Sequence, residues 1–470
     1  MSTLLQDIAA QIGAANVLTG ADMAAYCPDA TGVYTSTPIA VLRPASTDEV
    51  SFIMRAASAT ATPVVPISGN TGLAGGAVAR NALMISLARM NKLRDLRPAA
   101  RVAVTEAGVI LSSLHQAADQ HDLVFPLMFG ARGSAMIGGA LATNAGGSNV
   151  LRYGNTRALC LGLEVVLPSG EVLNLMSQLH KDNSGYDLKD LFIGAEGTLG
   201  LITAATLKLF PKPRAYATAM VALSNLDDAL TLLNDLQSAT GGAVEAFEYM
   251  PAIYITRHLQ HVPKAQAPFD KSYDINILVE IGATAPQDAQ PTADGSIPVV
   301  NLLEETLNTH LQSGRILDAV VARSGTQRTQ MWARREAAAE ITLGRIPLIN
   351  ADIAVPLDKV APFLTQITKD LKPIDPDADT MTVAHLGDGN IHYTVYPTRN
   401  DPALSSAITE TIEAVALSFG GSFSAEHGIG LTKRPSMARR KDPAALSVMR
   451  AIKSALDPQG IMNPGKVLPD

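Results

Sequence analysis

Two glycine-rich stretches constrain this chain more than any other feature. The first, Ser68-Gly69-Asn70-Thr71-Gly72-Leu73-Ala74-Gly75-Gly76, follows directly on the strand-like run Pro63-Val64-Val65-Pro66-Ile67. The second, residues 133–147, packs five glycines into fifteen positions between strand-like runs. Glycine at such density lets backbone approach backbone, or a ligand, closely. Neither the nucleoside triphosphate loop, with its closing Gly-Lys, nor the Gly-x-Gly-x-x-Gly fingerprint is present. No Lys or Arg lies between Pro66 and Val78. A diphosphate here would therefore be held by successive backbone N–H groups, helped by the Ser68 and Thr71 hydroxyls. Alone, the first loop reads equally well as a tight turn. The pair describes a long, mostly uncharged cleft for an elongated cofactor with a diphosphate in its middle.

The second half carries a different chemistry. His385 and His392 bracket Leu386-Gly387-Asp388-Gly389-Asn390-Ile391, and Glu426-His427 follow, so three of only nine histidines gather with a carboxylate. In a regular strand, residues seven apart face opposite ways and lie about 23 Å from each other. Both histidines can share an ion only if residues 387–390 turn the chain, and Gly-Asp-Gly-Asn is turn chemistry. Two imidazoles and one carboxylate with an open position suit a divalent, zinc-like ion that must also hold substrate. The competing reading is a polar hairpin with hydrogen-bonded histidines.

Composition narrows the function classes. A chain of 470 residues, 47% apolar, suggests about two to four domains or one large two-domain enzyme. A formal charge of -7, from 44 acidic and 37 basic side chains without a long basic run, gives no footprint for nucleic acid or an anionic membrane. Small molecules fit better. Cys27 and Cys160 are too few and too far apart for a disulfide framework, which points to a reducing compartment. The stretch Met1-Ser2-Thr3-Leu4-Leu5-Gln6-Asp7 lacks a signal peptide's basic and apolar regions, and no run of about 18 apolar residues occurs. A soluble, cytoplasmic protein is expected.

Along the chain, a short amphipathic helix opens, residues 39–44 read as a strand, and Ser46 caps a helix running to about Ala59. Strand-like runs return at residues 82–87, 102–107, 161–167 and 200–209, an α+β domain ending near Pro211-Lys212-Pro213. From Ala215 a second α+β domain alternates strands such as 275–281 with a helix-like stretch at 327–342; residues 287–298 read as an exposed loop.

Pro66, Gly69, Thr71-Gly72-Leu73 and Gly75-Gly76, then Ile137-Gly138-Gly139, Thr143-Asn144-Ala145-Gly146-Gly147, Arg152-Tyr153-Gly154, residues 181–188 and residues 194–200 together resemble, in order, the FAD-binding domain of the vanillyl-alcohol oxidase type. Residues 385–392, residues 424–430 and the tail from Leu456 through Asn463-Pro464-Gly465-Lys466 resemble the FAD-linked dehydrogenases of D-2-hydroxy acids. That group includes D-2-hydroxyglutarate and D-lactate dehydrogenases and the flavin subunit of glycolate oxidase. The resemblance spans nearly the whole chain. It implies a two-domain α+β flavoprotein: an FAD-binding domain over residues 1–213, and an FAD-linked oxidase C-terminal domain for substrate and metal over residues 214–470, with the tail returning to the first. It also implies that Ser68, Gly69, Asn70, Thr71 and Gly72 meet the FAD diphosphate. Gly138, Thr143, Gly146, Gly147, Glu196, Gly197 and Ile202 would line flavin and adenine. Thr143 and Asn144 equally suit a cap or turn, and Ile202 a core position. Relatives that link FAD covalently place a histidine in the first loop; Asn70 stands there, so noncovalent binding is expected.

Oxidising a 2-hydroxy acid needs a base for the hydroxyl proton and an acceptor for the hydride from C2. The resemblance assigns a divalent metal, zinc in this reading, to His385, His392 and Glu426. It makes His427 the base, although a fourth ligand is the alternative. Arg335 matches the arginine that clamps the substrate carboxylate; otherwise Arg334 and Arg335 read as solvated helix charges. Asp388 and Asn390 serve the turn. Departures bear on the substrate: Ala339 stands for a threonine, Asn350 for a lysine and Thr394 for an asparagine of the D-2-hydroxyglutarate enzymes. Those changes remove the partners of a distal carboxylate, despite close similarity at Ala246-Phe247-Glu248-Tyr249-Met250. The expected activity is D-2-hydroxy acid oxidation with an electron-transfer protein or quinone as acceptor, with dimerisation left open. The alternatives are a glycolate oxidase-like flavin subunit that needs partner subunits, and an NADPH-dependent reductase on the same fold.

Overall fold

Leu5, Ile8 and Ile12 recur at helical spacing, and they are the residues that the opening helix Thr3–Ile12 buries. The computed structural model describes residues 3–470, so Met1 and Ser2, which begin the stretch read for a signal peptide, lie outside it. Two units are distinguished. One gathers residues 3–146, Gly154–Pro211 and Glu426–Asp470; the other gathers Gly147–Tyr153 and Lys212–Ala425.

In the first unit, Ala40–Leu42, Leu83–Ser86 and Val64–Ile67 pair in parallel, with Val17–Leu18 antiparallel at the edge. The helix Thr47–Ala59 makes the crossover from Ala40–Leu42 to Val64–Ile67, which flank Leu83–Ser86 on either side. Its start is specified locally: Ser46 Oγ accepts from the Glu49 N–H, and the Glu49 carboxylate accepts from the Ala45 N–H. Leu42, Ile53, Met54, Leu83 and Ile85 are wholly buried here, each contributing about 1.5–3 kcal/mol. Ile461 and Met462 from the tail join the same core. The Val64 N–H donates to the Ile461 carbonyl, and the Asn463 N–H donates back to the Val64 carbonyl. A second, antiparallel sheet orders Leu93–Arg97, Val102–Glu106, Leu201–Lys208, Cys160–Val166 and Val172–Leu175.

The second unit is one seven-stranded antiparallel sheet, ordered Ile316–Val321, Ala215–Leu223, Ile275–Ala283, Val244–Pro251, Asp379–His385, Asn390–Tyr396 and Ile349–Ala354. Strand side chains alternate between faces. One face sets Phe247, Ile277, Val279, Ile391 and Ile353 into an apolar core with Phe363 of Val360–Leu371 and Ile408 of Pro402–Ser418. The opposite face packs Met220, Met250, Leu278 and Met381 against Tyr254 of Ala252–His261 and Met331 of Gly325–Glu336. By register, Glu248, His385, His392 and Asp352 share this second face. The stretch read as one helix over 327–342 is two, Gly325–Glu336 and Ala338–Leu343, meeting at Ala337. The loop expected at 287–298 opens with the helical turn Pro286–Ala289.

Candidate active site

In the first unit the two glycine stretches press on each other. A Cβ on Gly69 would lie 2.1 Å from the Ser134 carbonyl oxygen, and one on Gly139 would lie 3.1 Å from Ser68 Cβ. Gly138 is as tight against Ala107, 2.7 Å from its Cβ, and donates its N–H to the Ala107 carbonyl. At Gly69 the obstructing atoms are backbone, which does not move aside, whereas at Gly138 and Gly139 they are the Cβ atoms of Ala107 and Ser68. Asn70 adopts φ +50° and donates its amide to the Pro28 carbonyl. Gly72 is different: a Cβ there would meet nothing within 4 Å. Residues 68–73 therefore present half-buried to exposed, uncharged backbone around open space, a cradle whose chemistry fits an amide-held diphosphate.

The neighbouring residues have distinct duties. Thr143 Oγ1 donates to the Gly139 carbonyl, and Asn144, left-handed at φ +50°, accepts the Arg157 N–H. Gly146 and Gly147 are buried, and a Cβ on Gly197 would strike Pro66 Cγ at 2.5 Å. Ile202 is buried in Leu201–Lys208. Glu196 does something the sequence did not disclose. Its carboxylate accepts the Ile429 and Gly430 N–H groups at 2.7 and 2.8 Å, and its carbonyl accepts from Asn463. Burial pushes the Glu196 carboxyl up, against these two amide donors. The segment following His427 is thereby anchored, with Leu431 donating its N–H to Ala74 in the first glycine loop. Just ahead of it, His427 Nε2 lies 3.9 Å from Glu426 Oε1.

In the second unit, the turn that the histidine spacing requires is present. Asp379–His385 and Asn390–Tyr396 form a hairpin with His385 opposite Asn390 and Val383 opposite His392. Asp388 Oδ1 accepts the Asn390 N–H, and Gly389 takes φ +80° against the Val355 carbonyl, where a Cβ would lie at 2.2 Å. The two imidazoles come together at 5.4 Å between centroids, nearly perpendicular.

Two carboxylates that sequence reasoning did not single out stand behind these rings. Asp352, fully buried, lies 3.9 Å from His392 Nδ1 and accepts from Asn390 Nδ2 and the Ala425 N–H. Glu248, 1% exposed, has both carboxylate oxygens 2.9 Å from His385 Nδ1, and its Oε2 accepts Arg335 Nε at 2.7 Å. Burial works against charge on Glu248, but His385 and Arg335 outweigh it and hold the carboxyl below its usual range. A carboxylate backing one imidazole nitrogen and leaving the other to a metal is a recurrent arrangement. Imidazole nitrogens joined by a carboxylate oxygen are donors of the kind that suits a divalent ion of the zinc type.

Arg334 and Arg335 are both buried rather than solvated. Arg334 Nη2 donates to the Gln266 carbonyl. Arg335, 9% exposed, has an Nη2 with no hydrogen-bond partner among the described residues. Trp332, half-buried, donates Nε1 to Glu280. Asn350 and Thr394 are register partners whose side chains bond at 3.1 Å, while Ala339 is exposed.

Residues 38–176 match the family model described as FAD binding domain, and residues 212–467 match FAD linked oxidases, C-terminal domain. The class is thus a flavoenzyme of two domains. The chain belongs to the FAD-linked oxidase family and is an FAD-dependent dehydrogenase. It is 37% identical over 455 residues to a D-2-hydroxyglutarate dehydrogenase of Xanthomonas citri pv. viticola, covering 95% of this chain and 93% of the relative. It is 35% identical to the mitochondrial D-2-hydroxyglutarate dehydrogenase of Rattus norvegicus, over 91% of this chain and 78% of that one. Among solved structures, an alkyldihydroxyacetonephosphate synthase is similar in fold, with a TM-score of 0.75 and 17% identity over 99% of this chain and 86% of its own. The mixed helix and sheet, two-domain fold expected from the sequence is the one observed. Among the described residues no helix is long and apolar enough to cross a membrane.

Proposed function

We propose that this dehydrogenase oxidises a D-2-hydroxy acid to the 2-oxo acid and passes the electrons on to an electron-transfer protein or quinone. The observation that carries the reading is the Arg335 guanidinium, buried with one nitrogen unpartnered. A buried donor left unmade is costly, and a substrate carboxylate is the natural acceptor for a planar guanidinium edge. His427 takes the hydroxyl proton. His385, His392 and Glu426 hold a divalent cation; Glu426 follows directly on Ala425, whose N–H is fastened to Asp352. When bound, FAD supplies a hydride acceptor at N5 and the cation supplies charge that orients substrate and acidifies its hydroxyl. Residues 68–72 carry the FAD diphosphate without a covalent link, since Asn70 offers no nucleophile.

The relatives are named for D-2-hydroxyglutarate, so that diacid is one candidate. D-lactate is the other: Asn350 and Thr394 offer dipoles to each other but no cation for a distal carboxylate, which favours a small neutral side chain. An anaerobic screen of 2-hydroxy acid enantiomers, followed by flavin bleaching, tests the reading; metal-loaded protein bleached by no D-2-hydroxy acid refutes it. The scarcity of cysteine, Cys27 and Cys160 alone, supports a reducing, cytoplasmic setting, which cell fractionation checks.

A further inference from the structure

Glu248 is a buried carboxylate that touches both His385 and Arg335. It sits on Val244–Pro251, directly opposite His385 in the register between neighbouring strands. Arg335 reaches it from the helix Gly325–Glu336. Resting on the function proposed above, we propose that Glu248 is a shared positioning residue, setting the tautomer of His385 and the orientation of Arg335 through one carboxylate.

The argument is one of donors and acceptors. An ionised carboxylate only accepts, so at 2.9 Å the His385 Nδ1 must carry the proton. The ring's lone pair is then at Nε2, the atom that would face a metal. Glu248 also occupies Arg335 Nε at 2.7 Å, which fixes the guanidinium plane and leaves the unpartnered Nη2 as a donor for an entering anion. Glu248 itself is 1% exposed and cannot swing to other partners. The metal-holding and carboxylate-holding groups are therefore indexed to one buried side chain, so a substrate gripped at its carboxylate is also placed relative to the cation that grips its hydroxyl.

Glu248→Gln tests this because it keeps the shape and removes the double acceptor. If the amide oxygen faces Arg335, its NH₂ confronts His385 Nδ1 and selects the wrong tautomer. If the oxygen faces His385, NH₂ meets the Arg335 N–H and the guanidinium must turn. Averaged over both orientations, the purified FAD-loaded variant should release zinc to a chelator at 10–100-fold lower chelator concentration than the parent, a loss roughly that of other outer partners of metal ligands. The substrate concentration that half-saturates anaerobic flavin reduction should rise by roughly tenfold or more. A shift in only one constant overturns the shared role, and a lowered melting temperature with both constants within twofold of the parent reduces Glu248 to a structural ion pair. Should Glu248→Gln fail to fold, metal-free parent labelled with ¹⁵N-histidine decides the matter. His385, assigned by the signal lost in His385→Asn, should carry its proton on Nδ1, and a proton on Nε2 overturns the proposal. Parent protein that neither takes up zinc nor is bleached by any D-2-hydroxy acid removes the proposed function itself, a result distinct from a parent that does both beside an unaltered variant.

Discussion

Replacing Gly69 and Gly72 separately, each by alanine, distinguishes a loop that merely turns from one that carries a cofactor. At Gly69 the added carbon would lie 2.1 Å from the Ser134 oxygen, 3.0 Å from its carbonyl carbon and 3.1 Å from Ala135 Cα. All three are backbone atoms, so the glycine stretches themselves must part. Overpacking costs about 1–3 kcal/mol, and rigid neighbours on one side put this case at the upper end. At about 1.4 kcal/mol per tenfold, FAD binding should weaken by roughly 10–100-fold, with a lower melting temperature even without cofactor. At Gly72 the same carbon meets no protein atom within 4 Å. Gly72→Ala should therefore leave the melting temperature of the apoprotein unchanged and still weaken FAD, because the space it enters is the one proposed for the cofactor. Fluorescence titration of apoprotein with FAD, beside thermal melts of apo and loaded forms, reads both. Parent-like FAD affinity in Gly72→Ala would refute the view of residues 68–72 as a diphosphate cradle, and parent-like behaviour in Gly69→Ala would refute the steric reasoning.

Chelation should abolish turnover while leaving the flavin spectrum intact, zinc or another divalent ion should restore it, and His385→Ala or Glu426→Ala should imitate it; full turnover in verified metal-free protein contradicts this. His427→Asn should keep metal and FAD but slow anaerobic flavin reduction by roughly 10²–10⁴-fold, the range of a positioned base, whereas loss of metal would make His427 a ligand. Acid or heat should release all the flavin, and flavin retained on denatured protein would reveal a covalent link. Phe247→Ala, emptying a site 1% exposed beneath the sheet, should cost about 3–5 kcal/mol in denaturant unfolding; a loss under about 1 kcal/mol would mean that the core collapses around the gap.

What could be read from the sequence was local chemistry. Ser46 and Glu49 announce a helix start within four residues, and Gly387-Asp388-Gly389-Asn390 announces a turn whose consequence, two imidazoles on one face, follows from strand alternation. The carboxylates behind those imidazoles were not legible. Glu248 meets Arg335 and His385 across 87 and 137 residues, because Val244–Pro251 pairs with Asp379–His385 only after long intervening segments have packed elsewhere. The similarity at Ala246-Phe247-Glu248-Tyr249-Met250 flagged the segment, but not which partners its carboxylate would meet. Glu196 is a similar case: its acceptors' partners lie 233 and 234 residues away, so a residue read as a cofactor contact carries an anchoring duty invisible at its own position. The break at Ala337 escaped because helix propensity is continuous through Ala337-Ala338-Ala339.

The pairing of Val64 with Ile461 and Asn463 has a consequence for the birth of the molecule. A ribosome delivers residues 1–211 long before it delivers the residues that cover that edge and complete that core. The segment Lys212–Ala425 emerges in between and carries all seven strands of its own sheet. The later-translated unit can thus finish first, while the earlier one waits with an open parallel edge for Ile461 to Asn463. Such an edge is exposed to mispairing throughout synthesis. A nascent chain stalled shortly before Ile461 should be the form most dependent on chaperones, and most prone to aggregate.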